Sequence, residues 1–264
     1  MDYKPRQSFA EKSSFSPDFL FEEDGFSLFY TYIRKNASTS FKRLFQVLYP
    51  EVCPGELPSI GCMAKHAQVK DLRPDEIDQR FNIKLFVYRD PIDRVFSVYK
   101  NKLIQQDGAT DLFRGLRKVV QRHPGLLTFD EFVNKYVALL ETERWHEVDG
   151  HLYPQVWHLL PITYNRVIRL DAVYDEMCEI LPVTLCDQVF RDPFNSTSKG
   201  NVPLAFCDPD CPVVYFRKKF IHGKALPTLK QVLTPATEAR LRAIYVDDYR
   251  MIEEVEGKSA GSVL

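Results

Sequence analysis

Short apolar runs alternate along the chain with stretches in which apolar residues recur at helical spacing. Three of the runs are rich in β-branched and aromatic residues, which is typical of buried strands: FSLFYTYIR (26–34), KLFVYR (84–89) and RVIRL (166–170). The periodic stretches predict helices over 41–49, 91–106, 128–143, 171–180 and 234–254. Strands that alternate with helices, without hairpin signals between them, predict an α/β fold whose parallel sheet is flanked by helices.

The sequence shows neither an internal repeat nor an obvious linker that would divide the chain. Its 264 residues fit one large domain or two small ones, and we expect a single domain over residues 25–255. Residues 1–24 are polar and aperiodic, which predicts a flexible N-terminal arm. Residues 256–264 are expected to fray as a C-terminal tail.

Composition places the chain among ordinary soluble globular proteins. It is 45% hydrophobic and 27% charged, which excludes wholesale disorder, collagen and coiled coil. Lys and Arg number 35 against 36 Asp and Glu, a formal net charge of -1. This balance argues against a dedicated nucleic-acid binder, because such domains are usually strongly basic. An anionic ligand must therefore be held by a local cluster of charges.

Location and redox chemistry are predicted from what the sequence lacks. No apolar stretch approaches the ~18 residues that span a bilayer, and the N-terminus lacks the apolar segment of a signal peptide. We therefore expect no membrane span and a cytoplasmic location. The 6 cysteines are too sparse for a disulfide framework. Cys207 and Cys211 lack a second ligand pair, so we interpret them as loop thiols rather than a zinc half-site and expect no metal.

The first predicted strand leads through a polar loop into a helix, where a helix N-terminus offers unpaired N–H groups to an anion. The loop and helix start read RKNASTSFKR (34–43). The side chains of this segment that could donate hydrogen bonds to an anion are one mobile cation and three hydroxyl residues: Lys35, Ser38, Thr39 and Ser40. Lys42 and Arg43 are predicted in the first helical turn, where they oppose the helix dipole unless an anion binds. The alternative is an N-capped helix whose basic side chains point to solvent.

The second predicted strand also ends in candidate anion-binding residues. Arg89 stands at its carboxyl end, where open α/β sheets bind ligands. Ser97 follows two helical turns later, and an arginine with a hydroxyl can grip a phosphate. Alternatively, Arg89 pairs with Asp90 or Asp93, and Ser97 is a small packing residue. Arg94 is expected to neutralise the acidic turn.

Together the two segments resemble the phosphate-binding elements of sulfotransferases. KNASTSFKR (35–43) is similar to their 5′-phosphosulfate loop, and RDPIDRVFSVYKNK (89–102) is similar to their 3′-phosphate element. Further segments resemble, in the same order, the Golgi carbohydrate sulfotransferases of the chondroitin/dermatan type: DGHLYPQ (149–155), the segment 162–171, NST (195–197) and YVDDY (245–249). The resemblance covers roughly residues 26–252.

The resemblance implies the P-loop-like sulfotransferase fold and an in-line transfer of a sulfuryl group to a hydroxyl, expected to be that of a carbohydrate. The implied donor is 3′-phosphoadenylyl sulfate (PAPS), which leaves as adenosine 3′,5′-bisphosphate (PAP), and no metal is implied. Lys35 would stabilise the leaving oxygen. The implied nucleotide-binding residues lie in the two phosphate elements and one later loop: Lys35, Asn36, Ala37, Ser38, Thr39, Ser40, Lys42, Arg89, Ser97 and Asn195.

The acceptor hydroxyl needs a general base, for which histidine is suited because its pKa is near neutral. The resemblance of the segment 149–155 favours His151, and His146 is the rival. Glu147 or Asp149 could orient either ring. The alternative is that His151 is a hydrogen-bonded loop residue without a catalytic role.

Two other functions stay open at this point. The first is a P-loop-like kinase or nucleotide phosphotransferase, which the sequence disfavours because a Walker A motif is absent and no glycine lies between Gly25 and Gly55. The second is a catalytically inactive nucleotide-binding module. A Golgi-type enzyme trimmed of its anchor is the alternative to a cytoplasmic one.

Overall fold

The computed structural model describes residues 2–5, 17–23, 26–70, 72–108, 110–192 and 200–260. Its strands are β1 Asp18–Glu23, β2 Phe26–Thr31, β3 Ile83–Tyr88, β4 Arg166–Arg169, β5 Val202–Pro203 and β6 Ala225–Leu226. Its α-helices are α1 Ser38–Leu48, α2 Ile60–Ala67, α3 Pro74–Arg80, α4 Pro91–Val98, α5 Thr110–Val120, α6 Phe129–Lys135, α7 Val173–Cys178, α8 Val183–Val189, α9 Val213–Gly223, α10 Leu229–Val232, α11 Pro235–Ile244 and α12 Val246–Ala260.

Backbone contacts divide the chain into two compact units. The first, which we call the sheet unit, comprises Met1–Arg89, Gln155–Phe194 and Arg250–Leu264. The second, which we call the helical unit, comprises Asp90–Pro154 and Asn195–Tyr249.

The sheet unit contains four strands in the order β1-β2-β3-β4. Strands β2, β3 and β4 run parallel, and β1 pairs antiparallel with β2 at the edge. Helices α1, α2, α7 and α8 pack on this sheet around one apolar cluster. The predicted α/β fold with a parallel sheet is confirmed for β2, β3 and β4, and the antiparallel edge strand β1 was not predicted.

Strand β1 lies inside the segment that we expected to be a flexible arm. Phe19 and Phe21 are fully buried, whereas Leu20 between them is half-buried and Glu22 after them is exposed. The inward-facing residues therefore follow the two-residue period of a strand that has one face on the core. Burial of the two rings explains why these residues are held in the sheet.

Helix α1 starts at Ser38, three residues before the predicted start. Phe41, Leu44 and Phe45 recur at helical spacing and are fully buried. The Phe41 ring stacks on Tyr30 of β2 with 3.7 Å between ring centroids. This contact fixes the start of α1 against the strand that precedes it.

In the helical unit, the predicted helix over 91–106 is a short α-helix followed by a different helical form. Helix α4 ends at Val98 and continues as a π-helix over Tyr99–Ile104. The Thr128–Glu131 pair forms the capping box that starts α6, with both reciprocal hydrogen bonds present. Helix α6 ends at Lys135, and a 3₁₀-helix follows over Val137–Glu141.

The predicted helix over 234–254 is two helices, α11 and α12. Helix α12 extends to Ala260, so residues 256–260, which we expected in a frayed tail, are helical. Val255 is buried in the turn just before them, which gives this part of α12 an apolar contact. Among the described residues, none of the helices is both long and apolar enough to cross a membrane.

The structure contains a disulfide bond that we did not expect. It joins Cys53, in the loop after α1, to Cys62 of α2. Cys207 is buried and Cys211 is half-buried, and both are free thiols. Within the described ranges, no group of three or more His, Cys, Asp or Glu residues is placed to hold a metal ion.

Candidate functional site

The loop between β2 and α1 contains two residues in the left-handed backbone region. Lys35 has φ 70° and Ala37 has φ 53°, although neither is a glycine. This conformation costs L-residues roughly 1 kcal/mol or more, and such residues cluster at ligand-binding sites. The loop is closed by backbone bonds from Asn36 N to Ile33 O at 3.3 Å and from Ser40 N to Ala37 O at 2.9 Å.

Helix α1 begins without the groups that usually neutralise a helix N-terminus. Ala37 at the N-cap has no side-chain oxygen, and the first turn holds no acidic residue. Lys42 and Arg43, predicted in the first turn, fall in the second because α1 starts at Ser38. Their opposition to the helix dipole is therefore weaker than expected, and the uncapped first turn is the stronger sign of an anion site.

The hydroxyl residues of the first turn are only partly exposed. Ser38 and Thr39 are half-buried, and Ser40 is buried. Ser38 hydrogen-bonds Tyr32, whose pKa burial raises, while the Ser38 bond and Arg34 act in the opposite direction. These residues place hydroxyl groups and backbone amides together at the N-terminus of α1 in the sheet unit.

Asn36 and Gln155 lock this loop to the end of β3. Asn36 is fully buried, and its Nδ2 donates to the Val87 carbonyl at 2.8 Å and to Gln155 Oε1 at 2.6 Å. Gln155 is also fully buried. It bonds the Arg89 backbone twice, accepting from N at 3.1 Å and donating from Nε2 to O at 3.0 Å. One amide side chain thus joins the loop that precedes α1 to the residue that follows β3.

Arg89 follows β3 directly and is half-buried. Its Nη1 lies 3.5 Å from the carbonyl oxygen of Lys35, at the outer limit of a hydrogen bond. The structure therefore brings together Lys35, Asn36 and Arg89, which the sequence separates by more than fifty residues.

Helix α4, in the helical unit, begins with Asp90 as its N-cap and Pro91 in its first turn. The Asp90 carboxylate accepts from the amides of Ile92 and Asp93 at 2.8 and 3.0 Å. Ser97, whose hydroxyl is predicted to donate a hydrogen bond to the 3′-phosphate, lies buried in this helix at 7% exposure.

Arg94, which we expected to neutralise the acidic turn, is buried in the helical unit and interacts electrostatically with Tyr245 and Asp248. Burial lowers the pKa of the Arg94 guanidinium, whereas Tyr245 and Asp248 act to raise it. Asp248 is itself fully buried, so its attraction for the Arg94 guanidinium acts through the core. This electrostatic interaction gives the segment 245–249 a structural role beside α4.

His151 lies in the helical unit and is oriented by Asp149. The imidazole Nδ1 is 2.6 Å from Asp149 Oδ1, which also accepts from the His151 backbone N at 2.8 Å. The Tyr136 hydroxyl accepts from the Asp149 backbone N at 2.9 Å and donates to the Glu147 carbonyl at 3.2 Å. A carboxylate at Nδ1 fixes the Nδ1–H tautomer, so that the ring takes up a proton at Nε2.

The other candidates for this base have different surroundings. His146 is exposed, and its Nδ1 contacts the Glu143 carbonyl at 3.1 Å. Glu147 forms a bidentate pair with Arg144 at 2.7 and 2.9 Å. Of the two rings, His151 is the one with the carboxylate partner that a general base needs.

Two of the contributing residues were missed by sequence reasoning. Gln155 was seen only as part of a resembling segment, and Tyr136 had no local signal at all. Asn195, predicted at the nucleotide, lies outside the described residues. The structure brings the loop 34–40 and Arg89 together in the sheet unit, and His151 and Asp149 together in the helical unit.

Comparison with known proteins gives the family. The profile of the sulfotransferase family matches residues 17–252, most of the chain. The chain belongs to the sulfotransferase family. Carbohydrate sulfotransferase 14 from Homo sapiens is 31% identical over 151 residues, which cover 52% of this chain and 38% of that protein. The Mus musculus protein of the same name is 30% identical over the same shares. No solved structure matches.

Proposed function

We propose that this protein transfers a sulfuryl group from PAPS to a hydroxyl group of a carbohydrate. The observation that carries the proposal is the start of α1, which has no capping side chain and no acidic residue but is flanked by Lys35 and Lys42. Such a helix N-terminus suits a phosphate, because its N–H groups and the helix dipole both favour an anion. Membership of the sulfotransferase family supports a sulfonated nucleotide as that anion.

The residues of the sheet unit would bind the donor in two places. We assign the 5′-phosphate to the amides and hydroxyls of Ser38, Thr39 and Ser40. Lys35 would neutralise the negative charge that develops on the leaving-group oxygen. This role suits a cation held in the loop between β2 and α1. We assign the 3′-phosphate to Arg89, whose guanidinium can bind it with two hydrogen bonds.

The assignment made from the sequence includes five further donor-binding residues, which stay proposed: Asn36, Ala37, Lys42, Ser97 and Asn195. Asn36 would act through the loop that it holds. We propose a site that works without a metal, because Lys35 and the N-terminus of α1 offer positive charge to the phosphosulfate.

We propose that His151 is the general base. Asp149 holds its ring, so the imidazole can accept the proton of the acceptor hydroxyl at Nε2. Deprotonation raises the nucleophilicity of that oxygen as it attacks sulfur, and Asp149 stabilises the imidazolium that forms.

A carbohydrate acceptor is supported by the name that the two relatives share and by one cavity. This cavity, in the helical unit, has a volume of about 710 Å³ and is lined by a half-buried Phe113 and the exposed side chains of Arg114, Arg117, Lys118 and His123. An aromatic face can stack on a sugar ring, and the cations suit an acidic saccharide.

Calorimetric titration with PAP and with 5′-ADP, each without metal and again with Mg²⁺, tests the donor. We expect a micromolar site for PAP, about -8 kcal/mol, with ADP at least ~10-fold weaker and no requirement for Mg²⁺. Equal affinities, or binding only with Mg²⁺, would support the phosphotransferase alternative. Binding of PAP without transfer to any carbohydrate would support an inactive nucleotide-binding module.

A further inference from the structure

Two free cysteines of the sheet unit lie unusually close together. Cys178 ends α7 and Cys186 lies in α8, and their Sγ atoms are 2.7 Å apart. A disulfide bond is about 2.05 Å long, so the two sulfurs need to approach by less than ~1 Å to bond. They lie eight positions apart in the sequence, across a short turn between the two helices.

The surroundings hold both thiols in place. The Cys186 backbone N donates to the Pro182 carbonyl at 3.0 Å at the start of α8. Its Sγ lies 3.3 Å from the Tyr174 carbonyl in α7. Tyr174 in turn donates from its hydroxyl to Asp187 Oδ1 at 2.5 Å. Contacts on both sides of the sulfur pair therefore join α7 to α8.

We propose that Cys178 and Cys186 form a second disulfide bond under the oxidising conditions that form the Cys53–Cys62 bond. The two thiols lose two protons and two electrons, and a low-molecular-weight disulfide such as oxidised glutathione accepts them and becomes two thiols. This site goes beyond the proposed function and does not depend on it.

The exposure of the two residues sets the order of the exchange. Cys178 is half-buried and within reach of a small disulfide, whereas Cys186 is buried. Burial and the hydrogen bond with Cys178 raise the pKa of the Cys186 thiol to about 12. Cys178 therefore attacks first and forms a mixed disulfide, and Cys186 then displaces the second glutathione. Closure should accelerate as the pH rises, because more Cys186 is present as thiolate.

The bond would brace the surface on which α1 rests. Helix α8 packs on α1, and Phe190 at its end meets Phe41 with 5.3 Å between ring centroids. Cys186, Phe190 and Phe41 belong to the same buried cluster. A covalent link between α7 and α8 therefore reduces the motion of the helix pair beneath the start of α1.

Thiol mapping of the intact chain tests the proposal. The purified protein is incubated with oxidised glutathione, alkylated with N-ethylmaleimide and digested with trypsin. Because no Lys or Arg lies between Arg169 and Arg191, residues 170–191 leave as one peptide that contains both cysteines. A second digestion after Glu179 separates the two halves unless a disulfide joins them.

We expect this peptide to carry no alkyl group, to be two hydrogens lighter than the dithiol, and to stay joined after the second digestion until dithiothreitol is added. Two alkylated cysteines in a sample whose Cys53–Cys62 bond is intact would overturn the proposal. So would a glutathione that stays on Cys178. The Cys211→Ser variant is the control, because it leaves the peptide 170–191 unchanged.

Thermal unfolding gives a second measurement that does not depend on digestion. We expect reduction to lower Tm by about 5 °C more in the wild type than in Cys178→Ser. Only the wild type has the Cys178–Cys186 disulfide, whose reduction opens the loop that it closes. The Cys186→Ser variant should behave like Cys178→Ser. An equal effect of reduction on all three proteins would mean that the second bond does not form.

Discussion

The Nδ2 atom of Asn36 lies 2.6 Å from Oε1 of Gln155, and both side chains are fully buried. Gln155 also bonds both backbone groups of Arg89. The loop that precedes α1 and the residue that follows β3 are therefore held by one shared amide. Since a buried polar group left without its partner costs about 1–3 kcal/mol, this network fixes the relative position of Lys35 and Arg89.

We expect Gln155→Ala to weaken PAP binding about tenfold and to lower the free energy of unfolding by about 1–3 kcal/mol. The reason is that Asn36 and the Arg89 backbone lose hydrogen-bond partners together. Calorimetry and urea unfolding measure the two effects. Gln46→Ala, which removes only a bond to the Glu56 carbonyl, is the control.

The Gln155→Glu variant separates the effect of Gln155 on the position of the donor site from its effect on the stability of the protein. The carboxylate retains an acceptor for Asn36 but loses the donor to Arg89 O and adds negative charge beside the loop that we propose binds phosphate. We expect its affinity for PAP to fall further than that of Gln155→Ala. If PAP affinity is unchanged in both variants, Gln155 does not position the donor site.

Lys35→Ala should abolish turnover while PAP affinity stays within ~10-fold, about 1.4 kcal/mol. The lysine charge is expected to act on the leaving oxygen, which develops charge only during the transfer. Single-turnover kinetics and calorimetry measure the two quantities. Lys65→Ala, on α2, is the control. An equal loss of affinity and of turnover would show that Lys35 binds the ground state only.

The sequence predicted β2, β3 and β4 because each is a compact apolar run, and their parallel pairing follows from the helices between them. Strand β1 was missed although Phe19 and Phe21 carry the two-residue period of a strand. The polar residues on both sides of this short segment suggested an arm.

The contacts that build the candidate site were harder to predict from the sequence. Asn36 and Gln155 are 119 residues apart, and Arg94 interacts electrostatically with Asp248 near the other end of the helical unit's sequence. No local periodicity encodes such pairs, because each partner is satisfied only once the chain has folded. Asp149 and His151 are close in the sequence, and the sequence analysis could name them as a pair. It gave Glu147 as an equally good partner of the histidine.

His151→Ala should lower kcat about 10²–10⁴-fold with little change in the KM for PAPS. Asp149→Asn should lower kcat less, because the ring keeps its place while the imidazolium loses its stabilising charge. In the wild type, kcat/KM should fall on the acid side as the ring is protonated, and this limb should vanish in His151→Ala. His146→Ala is the matched control, and a loss of activity there instead would reverse the assignment.

The basic cavity of the helical unit gives a test of the acceptor. We expect Arg117→Ala to raise the KM for a carboxylated oligosaccharide about fivefold, near 1 kcal/mol, and to leave the KM for PAPS unchanged. The effect should shrink at high salt, because Arg117 is exposed. Arg73→Ala, in the sheet unit, is the control. A neutral oligosaccharide of the same length should show no difference, and an unchanged KM for the acidic one would exclude this cavity as the acceptor site.

Asp18 makes stability depend on pH through a buried chain of hydrogen bonds. Thr31 Oγ1 donates to Asp18 Oδ1 at 2.6 Å and lies 2.8 Å from the Tyr164 hydroxyl, which accepts from Leu160 N at 3.0 Å. Burial raises the pKa of Asp18 to about 7, although the Thr31 bond opposes the shift. The folded state therefore binds a proton that the unfolded state releases at about pH 3.8. The stability from that proton is complete below the unfolded pKa and is lost as the pH rises through about 7.

The free energy of unfolding of Asp18→Asn, relative to that of the wild type, should consequently rise by up to about 4 kcal/mol between pH 4 and pH 8. The asparagine amide stays neutral and can still accept from Thr31, so the variant avoids the charge that burial penalises. Urea unfolding of both proteins at pH 4, 5, 6, 7 and 8 measures the difference. Asp75→Asn, on the exposed start of α3, should show no such trend. A difference that stays constant across this range would mean that Asp18 remains ionised in the folded protein at pH 5.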